Sequence, residues 1–249
     1  MGKSKPGAAN GIDTKKISPE SFPPLTPRDL EEIYNLFLGL VSRFAKYISS
    51  KERVENETFG FKDYTGTGQL LGQGSIYFNS TVTLYQFIYA LAMTRHPLIK
   101  KMIEPKFNQV EFDPKVLADN KIMAGMKIID LGSGPQPVFA RCCRAMGADV
   151  WTVDDKPDSS RLDFRSNRDF LSKEQRDLED QRHIELDLKS EHAADLIIQK
   201  SGGDFNLVTE ANLGGHGLYL KEERRKIAWP LVKKGGICKI EDGPGELKE

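Results

Sequence analysis

Four acids in the second half of the chain each close a short apolar run. Ile128–Ile129 leads into Asp130-Leu131, Val150 to Val153 into Asp154, His183 to Leu186 into Asp187, and Phe205 to Thr209 into Glu210. Short apolar runs of this kind, separated by helical stretches, read as strands of a parallel sheet, and the ligand of an open sheet lies beyond the carboxyl ends of its strands. Carboxylates at those ends can bind ribose hydroxyls or attract a cation. Between the first two runs lies a tight turn, Gly132-Ser133-Gly134, and a helix predicted from Pro137 to Met146. Strand, turn, helix, strand and acid together place small residues where a ligand must approach the backbone. The same order points the helix N-terminus at that ligand and sets Asp154 within reach of ribose hydroxyls. The stretch Met126 to Asp155 reads as a nucleotide-type binding unit.

The residues around the glycines narrow the ligand. A dinucleotide site wants a third small residue at the end of G-x-G-x-x-G, whereas this chain has Pro137, which carries no N–H. Asp130, directly before the turn, would repel a pyrophosphate and attract a cation. S-adenosylmethionine is a ligand of that kind, with an ammonium, a sulfonium and a ribose. The stretch resembles motif I and the following acid of the class I S-adenosylmethionine-dependent methyltransferases. That resemblance implies that Asp130, Gly132, Ser133 and Gly134 surround the methionyl part of the cofactor. It implies that Asp154, with the adjacent Asp155, meets the ribose, and that Asp187 and Leu188 lie at the adenine. Asp187 also reads as a cap ahead of Ser190.

The loop after the fourth run, Glu210-Ala211-Asn212-Leu213-Gly214-Gly215-His216, is where acceptor chemistry is expected. Methylases of exocyclic amines in nucleic acid usually carry Asn/Asp-Pro-Pro-aromatic there, so Glu-Ala-Asn-Leu disfavours that subclass. Glu210, which also counts among the cofactor contacts, Asn212 and His216 are the candidates for orienting or deprotonating a nucleophile. Only His216 has an ordinary pKa near neutrality, and it also reads as a loop residue without a chemical role. A helix from Tyr219 to Val232 follows, with Lys233-Lys234-Gly235-Gly236 read as its cationic end and left-handed cap. Ile237 to Ile240 is the fifth strand. The string LVKKGGICKIED resembles the late glycine-glycine turn and strand of the same family, so the resemblance runs from about Met126 to Asp242.

The fold class expected is α/β: a Rossmann-like, doubly wound, mostly parallel sheet of about five strands, lacking the family's usual last two. The Gly243-Pro244-Gly245 tail is not expected to supply them. The sheet edge would then be bare, covered by the N-terminal helices, completed by a partner chain, or continued in a longer parent protein.

Other elements position this unit. Residues 1–26 read as a flexible arm, 27–120 as a mostly helical cap or substrate region, and 121–249 as the cofactor-binding domain. Thr26-Pro27 opens a helix to about Ser49, in which Leu30, Ile33, Leu36, Phe37, Leu40, Val41, Phe44 and Ile48 recur at helical spacing. Thr65 to Ser75 has four glycines and reads as an ordinary connection or as a lid. A second helix runs from Thr81 or Val82 to about Arg95 and stops at Pro97. Shorter helices are expected at Leu98 to Met102 and Pro114 to Ala118. Between Lys156 and Arg182 charges of both signs alternate, as on a solvated face, with a capping box at Ser172 and Gln175. A helix is expected from Glu191 to Lys200, stopped by Gly202-Gly203.

Composition sets limits on function. With 36 basic and 36 acidic residues the formal charge is zero, so no global field draws the chain to nucleic acid. No apolar run approaches the ~18 residues of a membrane span. Three cysteines form neither a disulfide framework nor a metal pattern, and there is no signal segment, which fits a soluble, cytoplasmic protein. The leading expectation is a methyltransferase whose unidentified acceptor is selected by the N-terminal helices. The alternative is a non-catalytic binding or scaffold protein of the same fold. An RNA ribose 2′-O-methyltransferase would use Glu210 and Lys239, and a nicotinamide oxidoreductase is disfavoured by Asp130 and Pro137.

Overall fold

A computed structural model of the chain describes residues 24–51, 81–104, 114–134, 137–155, 171–210, 220–240 and 244–249. The arm up to residue 23, the glycine-rich stretch Thr65 to Ser75 and the charged stretch from Lys156 to Phe170 lie outside the described residues. So does the loop that carries Asn212 and His216.

Helix α1 (Pro27–Lys51) starts with a reciprocal cap. The Thr26 hydroxyl accepts from the Asp29 amide at 3.3 Å, and the Asp29 carboxylate accepts from the Thr26 amide at 2.8 Å. Helix α2 (Thr81–Met93) is apolar on all sides and buried from Phe87 to Met93, the pattern of a core helix. Short helices α3 (Pro97–Met102) and α4 (Pro114–Asp119) lead to the sheet. The remaining elements are β1 (Lys127–Leu131), α5 (Val138–Ala145), β2 (Asp149–Asp154), α6 (Lys173–Gln181), β3 (His183–Glu185) and α7 (Ala193–Ser201). After these come β4 (Phe205–Glu210), α8 (Lys221–Leu231), β5 (Val232–Lys239) and β6 (Glu246–Leu247).

The chain is an α/β protein with a six-stranded sheet in the order β3-β2-β1-β4-β5-β6. The first five strands are parallel, and β6 runs antiparallel to β5. Side chains alternate between its two faces. Ile128, Leu207 and Ile237 join α1, α2 and α5 in one apolar cluster, while Ile129, Leu131, Val208 and Cys238 join α7 and α8 in another. The predicted capping box at Ser172 and Gln175 opens α6. Arg141 of α5 grips Glu179 of α6 with two hydrogen bonds, 2.6 and 3.1 Å, in a buried ion pair that fixes one helix on the other.

The structure corrects two expectations at the end of the chain. The glycine-proline tail does lead into one short strand: β6 pairs Leu247 with Ile237 and Glu246 with Cys238. It can do so because Gly245 passes where a side chain would collide with Ile237 and Tyr89, and its amide donates to the Tyr89 hydroxyl at 3.2 Å. Lys221 and Arg225 of α8 hold Glu246 from the other side, at 3.3 and 2.7 Å. The Lys-Lys-Gly-Gly stretch, in turn, is part of β5 and does not cap α8. Pro230 lacks the N–H needed to continue α8, Val232 is already extended, and the left-handed Gly235 sits at a register irregularity between β4 and β5. The cation at the helix end comes from the tail, where the Lys248 ammonium donates to the carbonyls of Trp229 and Val232 at 3.2 and 2.7 Å.

Candidate functional site

The register of the parallel strands aligns five polar residues in one row: His183, Thr152, Asp130, Thr209 and Lys239, from β3 to β5. The row lies on the face covered by α1 and α2, just inside the carboxyl ends of the strands. Thr152, Asp130, Thr209 and Lys239 are each at most 3% exposed, so their polar atoms depend on protein partners. The Thr152 hydroxyl lies 3.0 Å from Nδ1 of His183. From α2, the Gln86 amide donates to the Thr209 hydroxyl at 2.8 Å and to Oδ1 of Asp130 at 3.3 Å. The Lys239 ammonium lies over the rings of Phe37 and Tyr89, 5.5 and 5.2 Å from their centroids. Only Asp130 and Lys239 of this layer were singled out in the sequence. Gln86 had a visible signal, as the one amide in the apolar run TVTLYQFIYALAM, because a buried amide must find partners.

Beyond the row lies the glycine turn. Gly132 and Gly134 adopt left-handed backbone, with φ of 71° and 69°. The amides of Gly132 and Ser133 both donate to the Val153 carbonyl, at 2.8 and 3.1 Å, which ties the turn to the end of β2. A Cβ added at Gly134 would have no heavy atom of the described residues within 4 Å. The Ser133 hydroxyl is buried and has no hydrogen-bond partner among the described residues. Helix α5 begins just past Pro137, which provides no side-chain cap.

Three predicted acids surround this turn. Burial pushes the Asp130 carboxyl up to about 8, the carboxylates of Asp154 and Glu210 adding to the shift, while the Gln86 bond and the Arg144 guanidinium oppose it. Asp154 is buried at the end of β2, and its Oδ1 accepts from the Asp155 amide at 2.9 Å; Asp155 itself is exposed. Glu210 is also buried but lies on the other face, where Nη1 of Arg224 on α8 donates to it at 2.9 Å. Glu210 and Lys239 therefore point to opposite faces of the sheet, so the structure does not bring this pair together.

The other predicted residues lie farther along. Asp187 is exposed and closes a local turn, accepting from the Lys189 amide at 2.9 Å on its side chain and from the Ser190 amide at 3.0 Å on its carbonyl. Asp187 thus closes a turn and does not cap α7, whose N-cap is His192. Leu188 is buried in the apolar cluster under α7 and α8. Among the described residues no group of three or more His, Cys, Asp or Glu could hold a metal ion. No described helix is long and apolar enough to cross a membrane. The chain matches no protein-family model, no curated protein and no solved structure, so the site has to be interpreted from its own residues.

Proposed function

We propose that the chain is a Rossmann-like, class I S-adenosylmethionine-dependent methyltransferase. The observation that carries this reading is the wiring of the glycine turn. The Gly132 and Ser133 amides are already spent on the Val153 carbonyl, and three acids, Asp130, Asp154 and Glu210, lie at the neighbouring strand ends. Such a turn offers few N–H groups to a pyrophosphate, and the Asp154 carboxylate beside it disfavours a phosphate, which argues for an adenosyl-sulfonium ligand over a dinucleotide. Two further features fit that ligand. Among the described residues nothing would meet a Cβ at Gly134, and the Ser133 hydroxyl has no partner.

In this reading Asp130, Ser133 and Gly134 hold the methionyl end, Asp154 and Asp155 the ribose, and Asp187 and Leu188 flank the adenine. The cofactor supplies an activated methyl group. The protein's part is to exclude water and to align an acceptor against it, which the apolar wall of α1 and α2 over the polar row is suited to do. The acceptor is selected by the helices of the N-terminal region.

One observation favours the second reading, a binding protein without catalysis. Glu210 is engaged by Arg224, an arrangement suited to a fixed charge more than to a base that must give and take a proton. Calorimetric titration with S-adenosylmethionine, S-adenosylhomocysteine and NAD, on the wild type and on Asp154→Ala, tests the ligand class. Both adenosyl ligands should bind the wild type and bind Asp154→Ala at least tenfold more weakly. Binding of NAD alone would sink the proposal. Release of S-adenosylhomocysteine with candidate acceptors then separates an enzyme from a binding module.

A further inference from the structure

The Asp130 carboxyl lies near the carboxyl end of β1, just before the glycine turn, and is buried, and among the described residues no side chain forms an ion pair with it. Its hydrogen-bond donor is Gln86, which reaches across from α2 at 3.3 Å while also holding Thr209 at 2.8 Å. The single oxygen of the Gln86 amide, Oε1, is buried and has no partner among the described residues, so the side chain is committed through its nitrogen to Asp130 and Thr209 at the expense of its own carbonyl. We propose that Gln86 is a positioning residue that makes ligand binding proton-linked: its amide steers the Asp130 carboxyl, and docking of a cationic ligand at the β1 end releases one proton from it. This rests on the reading of the site as an adenosyl-sulfonium pocket.

The groups facing Asp130 agree with this. Asp154 on β2 and Glu210 on β4 are like charges that disfavour the Asp130 anion, Glu210 from the other face of the sheet. Arg144 on α5 is the cation that acts on Asp130, but it is directed elsewhere, donating to the Val150 carbonyl at 3.2 and 2.7 Å. Cys143, also on α5, is a buried thiol within electrostatic range of Asp130. On the other side of Thr209 the row ends at Lys239, held over Phe37 and Tyr89. With these neighbours the carboxyl, raised to about 8, carries a proton at neutral pH in the ligand-free protein. A ligand ammonium or sulfonium stabilises the anion, so the proton leaves to solvent as the ligand enters. Ligand affinity must then rise with pH up to about 8 and level off above it. Gln86 donates to the anion and so assists its formation. Loss of that donor moves the change to higher pH.

The test follows the Asp130 carboxyl by carbon NMR in the ligand-free protein, alongside calorimetry with S-adenosylmethionine in buffers of different ionisation enthalpy. The carboxyl should titrate near 8, higher in Gln86→Met, and its signal should be absent in Asp130→Asn. Should Gln86→Met fail to fold, Gln86→Asn, whose amide falls short of Asp130, carries the same expectation. One proton should be released per ligand bound at pH 7 in the wild type and none in Asp130→Asn. Affinity should rise toward tenfold per pH unit below the midpoint. A carboxyl that titrates near 4, or that Gln86→Met leaves unmoved, overturns the proposal whichever ligand binds. A carboxyl that behaves as expected in a protein that binds neither adenosyl ligand overturns the proposed function and the ligand half of this inference, and leaves the Gln86–Asp130 link standing.

Discussion

The two faces of one sheet handle buried charge in opposite ways. Under α8, Glu210 is matched by Arg224 at 2.9 Å, an ion pair whose two ends are both buried. Under α2, one residue back along the register, Asp130 meets the neutral amide of Gln86. The first arrangement fixes a charge permanently, whereas the second leaves the charge to be decided by pH and by whatever binds. A settled anion shapes the field, whereas an unsettled one can respond to a ligand. Under the proposed function, Asp130 has the freedom to respond to a ligand, whereas Glu210, beside the predicted catalytic loop, is held by Arg224.

The largest effect should come from breaking the settled face. Arg224→Met leaves Glu210 buried without this cation, and removing one member of a buried pair typically costs about 3–5 kcal/mol. The double variant Arg224→Met/Glu210→Leu removes the Glu210 charge as well and should recover most of that loss. Denaturant unfolding of the three proteins measures both steps. A double variant no more stable than Arg224→Met would mean that the pair matters through its packing and not through its charge.

On the other face the tail offers a comparable point of attack. A methyl at Gly245 would collide with Ile237 and with the Tyr89 hydroxyl. Gly245→Ala should therefore cost roughly 1–3 kcal/mol, the range for overpacked cores. It should also release Tyr89 from its bond to the Gly245 amide and disturb the aromatic seat of Lys239. Hydrogen exchange of the Lys248 amide, which donates to the Gly236 carbonyl at 3.0 Å, reads the loss of β6 directly.

The unsettled face should show itself in the pH dependence of stability. Asp130 has a folded-state pKa of about 8, above its unfolded value of 3.8, so its contribution is fully present below pH 3.8 and is lost as pH rises through about 8. Relative to Asp130→Asn, the wild type should lose on the order of 1 kcal/mol per pH unit between those limits and no more beyond them. Parallel pH profiles for the two proteins would show that Asp130 is charged throughout.

How much of this was legible in the sequence depends on whether the signal was local. The parallel strands could be read because apolar runs, helices and acids recur in a short repeating order, and five of the six strands were placed. The sixth was missed because its pairing rests on a contact between residues far apart in the chain, Gly245 and Tyr89. The same holds for the cap of α8, assigned to the adjacent Lys233 and Lys234 but provided by Lys248. At the site, Asp130, Asp154 and the glycine turn were visible because their spacing is fixed by one βαβ unit. The polar row was not, since register across five strands is set by tertiary packing and leaves no pattern along the chain. Gln86 could have been noticed by its isolation in an apolar helix. Its target could not.

The smallest expected effect on stability is also the one that best separates the turn's two tasks. Gly134 has a φ of 69° and no heavy atom of the described residues within 4 Å of an added Cβ, so the backbone conformation favours glycine there more than packing does. Gly134→Ala should cost about 1 kcal/mol for left-handed backbone in a residue with a Cβ. Asparagine tolerates that conformation far better, so Gly134→Asn should melt close to the wild type. Both substitutions, however, place atoms in the space where the proposed ligand approaches the turn. If the turn faces an adenosyl ligand, both variants should lose S-adenosylmethionine affinity by at least tenfold in calorimetry, including the asparagine variant whose fold is intact. Wild-type affinity in Gly134→Asn would mean that the space at Gly134 belongs to solvent and that the left-handed turn serves only to bring the chain from β1 into α5.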